Sequence, residues 1–219
     1  MRGIVVGLIA ALTTPAGAQI VFRSGPGAGP DPSALLDVTP SAYGVSGWKT
    51  GEWARYNITQ TFGATGQQLT RFRTISVVGS ADDRFWVEVQ EESMGMMRAT
   101  QPTRKMLIPF GAITDRAMSV ALTLFPDSSI CRTTVVRPAM ADAAKPAFPE
   151  GWERLGEETL TTPAGELKTR HYRKGDEELW AAAGAGPIGL VRYRGANVTI
   201  ELVGRGGTGA KSKIPGADR

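Results

Sequence analysis

Hydrophobic and polar residues alternate along much of this chain. Between residues 52 and 62 an apolar side chain recurs at every second or fourth position, and mainly polar side chains lie between. The apolar ones are Ala54, Tyr56, Ile58 and Phe62. Residues 67–90 continue the alternation, with Phe85, Val87 and Val89 opposite Trp86, Glu88 and Gln90. A period of two predicts β-strands with one apolar face.

Turn-forming residues separate these strands at short intervals. Gly63–Gly66 and Ser80–Asp83 are rich in the residues that hairpin turns favour. The first three strands should therefore form an antiparallel meander. Trp53 and Trp86 lie off the apolar faces, which predicts that both faces of the sheet are covered over part of their area.

One stretch has helical spacing instead. Within Asp115–Phe125, Met118, Ala121, Leu122 and Phe125 recur every three or four residues and Pro126 follows, so we expect a helix there. Short strands return from Ile130, interrupted by the Pro/Ala-rich loop 137–151, and no crossover is long enough for parallel pairing. The predicted fold class is α+β, mainly β: a strongly curved antiparallel sheet, an incomplete β-barrel, with one helix or helical lid.

The two ends of the chain differ from the middle. Residues 1–18 have a basic start, a short apolar run and an Ala-Gly-Ala site, which predicts a signal peptide cleaved after Ala18 and a periplasmic or secreted protein. Residues 19–44 should be a flexible lead-in, residues 45–203 a single β-rich domain, and residues 204–219 a flexible C-terminal tail.

Composition excludes several classes of protein. The formal charge of +4 becomes +3 without Arg2, and this mild, dispersed excess does not predict nucleic-acid binding. Cys131 is the single cysteine, so no intramolecular disulfide can form, and we expect it to be a small buried hydrophobe.

The sequence offers no constellation of residues for catalysis or for metal binding. His171 is the only histidine, no G-x-S-x-G elbow is present, and one His with one distant Cys cannot complete a zinc site. We expect Gly165–Lys174 to pair with Glu177–Ala182 across Gly175-Asp176, with His171 as a wall or core residue of that hairpin. No enzyme activity, cofactor or metal is predicted.

Strand and turn patterns carry one resemblance. The segment "GEETLTTPAGELKTRHYR…ELWAAAGAGPIGLVRYRGANVTIELVGRGGTGAKSKI" resembles the C-terminal pattern of uncharacterised exported bacterial proteins. The segment "GEWARYNITQ…TRFRTISVVG…RFWVEV" is similar to the opening hairpins of the broad LolA/LolB-like periplasmic group, which carries lipoproteins or lipids. This resemblance implies an incomplete barrel with a helical lid and an apolar cavity, and it assigns no functional residue.

We therefore expect a non-enzymatic periplasmic binding or carrier protein. Its partner would be a lipid, an acyl chain, a lipidated protein or another apolar molecule. Peripheral association of the protein with a membrane is compatible with this function. Arg98, Arg104 and Lys105 could meet an anionic head group at the cavity mouth. The candidate cavity residues are Tyr56, Ile58, Phe85, Val87, Met97, Met106, Met118, Leu122, Phe125 and His171. The alternative is a structural or protein-interaction module of the cell envelope whose barrel is filled by its own side chains.

Overall fold

One antiparallel sheet of eleven strands dominates the computed structural model, which describes residues 43–63, 66–94, 101–110, 120–134 and 151–214. The strands are β1 (Trp53–Phe62), β2 (Gln67–Ala81), β3 (Arg84–Met94), β4 (Thr103–Pro109), β5 (Val120–Leu124), β6 (Ile130–Thr134), β7 (Glu153–Thr162), β8 (Gly165–Lys174), β9 (Glu177–Ala181), β10 (Leu190–Arg194) and β11 (Val198–Gly206). The sheet is curled and unclosed, and its strand order is β6-β5-β4-β3-β2-β1-β11-β10-β9-β8-β7. Among the described residues no helix has the length and apolar character needed to cross a membrane.

Strands that follow one another in the chain also lie side by side, except β6 and β7. The first strand pairs with the last, from Trp53 opposite Gly206 to Gln60 opposite Val198. We call this β1–β11 pairing the seam. Strands β6 and β7 are the two edges of the sheet.

The predicted hairpins are confirmed. Strand β1 pairs with β2 and β2 with β3, so the first three strands are an antiparallel meander. Gly165–Lys174 pairs with Glu177–Ala181 as expected, including Lys174 opposite Glu177. Asp82, at the turn between β2 and β3, has the positive φ of 54° that a tight turn favours.

The helix predicted for Asp115–Phe125 is wrong over Val120–Leu124, which forms strand β5 between β4 and β6. Residues 115–119 lie outside the described part of the chain. Ala121 and Leu122 are both buried although neighbours in a strand point to opposite faces. Because both faces are covered here, the apolar residues do not alternate and the strand imitates a helical pattern.

The apolar core lies on the concave, inner face. Register places side chains of β1, β2, β3, β10 and β11 together on that face, among them Ala54, Ile75, Val87, Tyr193 and Ile200. The segment from Tyr43 to Trp48 and the loop from Ala182 to Gly189 also pack into this core. Tyr43, Ala185 and Ile188 are fully buried there, and the indole Nε1 of Trp48 donates a hydrogen bond to Pro187 O at 2.7 Å.

The outer face is partly covered too, as the position of Trp86 predicted. Trp86, Leu107, Leu122 and Ile214 form a second buried cluster on this face. Ile214 belongs to residues 208–214, which follow β11; we call them the strap. Strand β11 continues to Gly206, and the strap packs on the outer face of the sheet.

Antiparallel register also defines two ends of the sheet. The upper end holds the hairpin turns β1–β2, β5–β6, β8–β9 and β10–β11. The lower end holds the β2–β3 turn, the β7–β8 turn and the β9–β10 loop. The Tyr43–Trp48 segment packs against that last loop, so the lower end is occupied by the chain itself.

Candidate functional site

Exposure of the inner face increases toward the upper end. On β1, Ala54, Tyr56 and Ile58 are 0% exposed, Gln60 is half-buried and Phe62 is 43% exposed. These five side chains share a face because they are spaced by two. The inner face is thus closed at the lower end and open to solvent at the upper end, and we call this open part the mouth.

Strand β2 repeats the gradient beside β1. Val77 and Ile75 are 0% and 1% exposed, whereas Leu69 is 39% exposed at the upper end. Arg71 and Arg73 lie between them on the same face, because they oppose Ile58 and Tyr56 of β1. The mouth therefore combines apolar and cationic side chains.

Arg73 is held by a carboxylate on the next strand. Its Nε donates to Glu91 Oε1 at 2.7 Å, its Nη2 reaches the same oxygen, and the Arg73 side chain is 11% exposed. Arg104, opposite Val89, is an exposed cation on the same face. Guanidinium groups suit carboxylate or phosphate oxygens, so this wall of the mouth can receive an anionic group beside an apolar one.

The opposite wall of the mouth contains Tyr193, opposite Ile200 of β11. Burial, followed by the charge of Glu177 and a hydrogen bond with it, raises the pKa of Tyr193 to about 12. Trp152 packs edge-on against the Tyr193 ring, with centroids 6.4 Å apart. Gly195 leaves the space that the Tyr193 hydroxyl fills, since a Cβ there would lie 2.4 Å from it.

The structure brings five of the ten candidate cavity residues together. All five belong to the inner-face core or pack against it: Tyr56, Ile58, Phe85, Val87 and Met106. Leu122 lies on the outer face in the cluster around Trp86, and Phe125 is 40% exposed at the upper tip of the β5–β6 hairpin. Met97 and Met118 lie outside the described residues.

His171 lies on the outer face rather than toward the mouth. His171 is opposite Trp180, which is followed across the neighbouring strands by Arg192, Glu201 and Asn57. Paired residues share a face, and Asn57 points outward because it lies between the inward-facing Tyr56 and Ile58. The imidazole stacks on Trp180 with ring centroids 4.4 Å apart and an angle of 15°.

Two carboxylates flank this imidazole. His171 Nδ1 lies 3.1 Å from Glu158 Oε1, which also accepts a hydrogen bond from Trp180 Nε1. Nε2 lies 3.4 Å from Glu178 Oε1, within ion-pair distance but without hydrogen-bond geometry. The arrangement joins β7, β8 and β9, and it contains no three-ligand set for a metal in the described residues.

Two residue roles differ from expectation. Lys105 is fully buried on the outer face, where its Nζ donates to Ser212 Oγ, so it does not belong to the mouth. Cys131 is exposed on the edge strand β6 instead of being a buried hydrophobe, because β6 has a neighbour on one side alone. Arg98 lies outside the described residues.

Sequence reasoning missed Arg71 and Arg73. The available signal was their spacing of four and two residues from Ile75, which places them on the apolar face of β2. Cations at inward positions of an otherwise apolar strand indicate that the interior becomes polar at that point.

A groove of about 430 Å³ lies at the lower end. Its lining is Val45, Ser46, Gly47, Lys49, Glu52, Ala183, Gly207 and Thr208, none of which was a candidate residue. Burial raises the pKa of Glu52, opposed by a main-chain hydrogen bond from Lys49 and by the Lys49 charge. This lining includes the charged side chains of Lys49 and Glu52 and contains no large apolar residue other than Val45, so it does not match an acyl chain.

Comparison with known proteins assigns no family. No family model and no curated protein matches the chain. A crystal structure from Bacteroides fragilis NCTC 9343, described as an exported protein with a YmcC-like fold, is similar over 73% of this chain and 97% of its own, at 14% identity and a TM-score of 0.37. One from Parabacteroides distasonis ATCC 8503, described as a lipoprotein, is similar over 72% and 96%, at 12% identity and a TM-score of 0.34. Both TM-scores lie below 0.5, so neither likeness carries an inference about this chain.

Proposed function

We propose that the protein is a non-enzymatic binding or carrier module that acts outside the cytoplasm and holds an apolar group in the mouth. The exposure gradient along the inner face carries this proposal. Fully buried side chains at the lower end give way to solvent-accessible apolar ones at the upper end, from Ala54 to Phe62 on β1 and from Val77 to Leu69 on β2. The signal-peptide pattern of residues 1–18 supports the location.

The lining of the mouth suggests an amphiphile as ligand. An acyl chain would contact Phe62 and Leu69, the accessible apolar side chains of the mouth, while an acidic head group would meet Arg71 and Arg73 on the same face. A lipid or a lipidated partner has this combination of groups. The ion pair between Arg73 and Glu91 would orient the guanidinium before the ligand arrives.

A matched pair of substitutions on β1 tests the proposal. Gln60→Trp places an indole in the mouth, whereas Thr59→Trp places the same side chain on the outer face of the same strand, and both positions are half-buried. We expect the delipidated protein to bind a fluorescent fatty acid. Gln60→Trp should weaken this binding about tenfold or more by filling the site, and Thr59→Trp should leave it unchanged.

Native mass spectrometry of gently purified protein gives the second measurement. A retained lipid mass that disappears on delipidation and is absent from Gln60→Trp would support the carrier. If the wild type never retains a lipid and never rebinds the fatty acid, the carrier function is excluded.

A second candidate is a structural or interaction module of the cell envelope. The packing of Tyr43, Trp48 and Ile188 into the lower part of the interior favours it, because that space is filled by the chain itself. Under this alternative the fatty acid would not bind, and Gln60→Trp would behave like Thr59→Trp in every assay of binding.

A further inference from the structure

Exposed large apolar side chains gather at one end of the molecule. Six are exposed within the part of the chain that the structure describes: Phe62, Leu69, Met94, Phe125, Ile130 and Leu155. Register places all six in the upper part of the sheet, because β1, β3 and β5 end there and β2, β6 and β7 begin there. Isolated exposed apolar residues are ordinary, whereas their collection at one end indicates an interaction surface.

Five of the six form what we call the upper rim: Phe62, Leu69, Met94, Phe125 and Ile130. They lie on neighbouring strands on one side of the mouth. The stretch Gln60–Thr70 has no charged residue, so no charge has to leave water when Phe62 and Leu69 do. Leu155 differs, since it lies on edge strand β7 directly after Glu153 and Arg154.

The hairpin that carries Phe125 and Ile130 is held by its own contacts. Phe125 N donates to Ser129 O at 2.9 Å. Asp127 Oδ1 accepts hydrogen bonds from Ser129 N and Oγ at 2.9 and 2.6 Å. The two apolar side chains are therefore presented on either side of a defined turn.

The charges around the upper rim favour an anionic partner. Arg104 and Arg132 are exposed beside it. Glu91 is paired with Arg73 and Glu92 with Arg55 at 2.9 Å. Asp127, at the tip of the β5–β6 hairpin, is an exposed carboxylate hydrogen-bonded to Ser129, so the two arginines leave an excess of positive charge beside the rim. Without Arg2 of the predicted signal peptide, the chain has a formal charge of +3.

We propose that the upper rim docks on the surface of a lipid bilayer that contains anionic head groups. Apolar side chains on separate hairpin tips suit a fluid surface, into which each enters independently, better than a flat protein surface. Arg104 and Arg132 would meet lipid phosphates at the level of the head groups. Docking in this way would turn the mouth toward the membrane, but it does not require that the mouth hold a ligand.

Vesicle co-sedimentation tests this docking. The purified domain should bind vesicles of phosphatidylcholine mixed with phosphatidylglycerol, bind phosphatidylcholine alone much less, and dissociate as salt rises. Phe62→Ser combined with Leu69→Ser should weaken binding about tenfold through lost apolar contact. Leu155→Ser, a similar change at a similarly exposed position, should leave binding unchanged.

Two charge variants complete the test. Arg104→Gln and Arg132→Gln should each weaken binding to the mixed vesicles about fivefold, whereas Arg154→Gln on β7 should have no effect. Circular dichroism and thermal melting verify that each variant is folded, and Phe125→Ser replaces the double variant if that one melts early.

Three results would overturn the proposal. They are failure of the wild type to bind mixed vesicles, equal loss in Leu155→Ser and in the Phe62/Leu69 double variant, and a concentration-dependent dimer that the double variant abolishes. The last would assign the rim to a second copy of the chain. Because Phe62 and Leu69 also belong to the mouth, fatty-acid binding is measured in parallel on the wild type and on Arg132→Gln, so a failure of docking is distinguishable from a failure of the carrier function.

Discussion

The hydroxyl of Ser212 donates a hydrogen bond to Glu88 Oε2 at 2.9 Å and so joins the strap to β3. Ser212 Oγ in turn accepts a hydrogen bond from Lys105 Nζ at 3.1 Å. Glu88 and Lys105 are opposite each other on β3 and β4, and both are fully buried. One serine thus satisfies part of the hydrogen bonding of two buried charges.

Ser212→Ala should destabilise the domain. It removes a donor to Glu88 and an acceptor for Lys105, and hydrogen bonds to buried charged groups are worth about 1–3 kcal/mol. Urea unfolding would measure the loss in free energy of unfolding. Ser80→Ala, at an exposed site on β2, should change it by less than about 0.5 kcal/mol; equal effects of the two variants would mean that the strap contact is not stabilising.

Ile214→Ala should be costly for a different reason. The side chain is 1% exposed and packs with Trp86, Leu107 and Leu122, so its truncation should cost about 2–4 kcal/mol. Ile130→Ala makes the same change at a site that is 46% exposed, and should cost far less. Because Ile214 covers Trp86, tryptophan fluorescence should shift to longer wavelength in Ile214→Ala and not in Ile130→Ala. The absence of that shift would contradict packing of the strap on Trp86.

Gly186→Ala should destabilise the closed lower end. The glycine has a φ of +89°, and an added Cβ would lie 2.7 Å from Ala54 Cβ. A left-handed backbone and a clash with a fully buried neighbour together should cost about 2 kcal/mol or more. Gly47→Ala is the matched change where nothing lies within 4 Å, and thermal melting should leave that variant close to the wild type.

The domain should lose stability at alkaline pH. Burial raises the pKa of Tyr43 and, at its fully buried site, of Tyr56 well above the ordinary value of 10.0. Above about pH 10 the unfolded chain releases these protons while the folded one retains them, so the free energy of unfolding falls by about 1.4 kcal/mol per pH unit for each tyrosine.

Urea unfolding above pH 10 measures how steeply the free energy of unfolding falls with pH. Tyr43→Phe should reduce this slope by the contribution of one tyrosine. Below about pH 9 both tyrosines are protonated in the folded and unfolded chain, so they add almost no pH dependence there. A slope identical in wild type and variant would show that Tyr43 ionises equally well in the folded state.

Local patterns were sufficient for much of the sheet. Alternation identified the faces of β1 because Ala54, Tyr56 and Ile58 are buried while Arg55 and Asn57 are not. Turn residues identified the β8–β9 hairpin, because Gly175, with a φ of +57°, supplies the conformation that this tight turn needs. These features depend on residues close together in the chain.

Features that depend on distant residues were not predictable. Strand β5 imitated a helix because Ala121 faces the core while Leu122 faces the cluster around Trp86 and Ile214. The strap reads as a polar Gly-rich tail, and the partners of Ser212 lie more than a hundred residues away. The mouth likewise depends on register, which alone places Arg71 and Arg73 beside β1.

The seam imposes an order of events on folding. Residues 53–134 and residues 153–206 can each form a meander of neighbouring hairpins, but the sheet becomes continuous only when β11 pairs with β1. A chain that is still being synthesised cannot complete its core before residue 206 has emerged, since Leu202 and Ile200 on β11 are central to it. Loop closure over about 150 residues is entropically expensive, and contacts so distant in sequence slow folding. A protein built in this way remains incomplete for as long as its last strand is withheld.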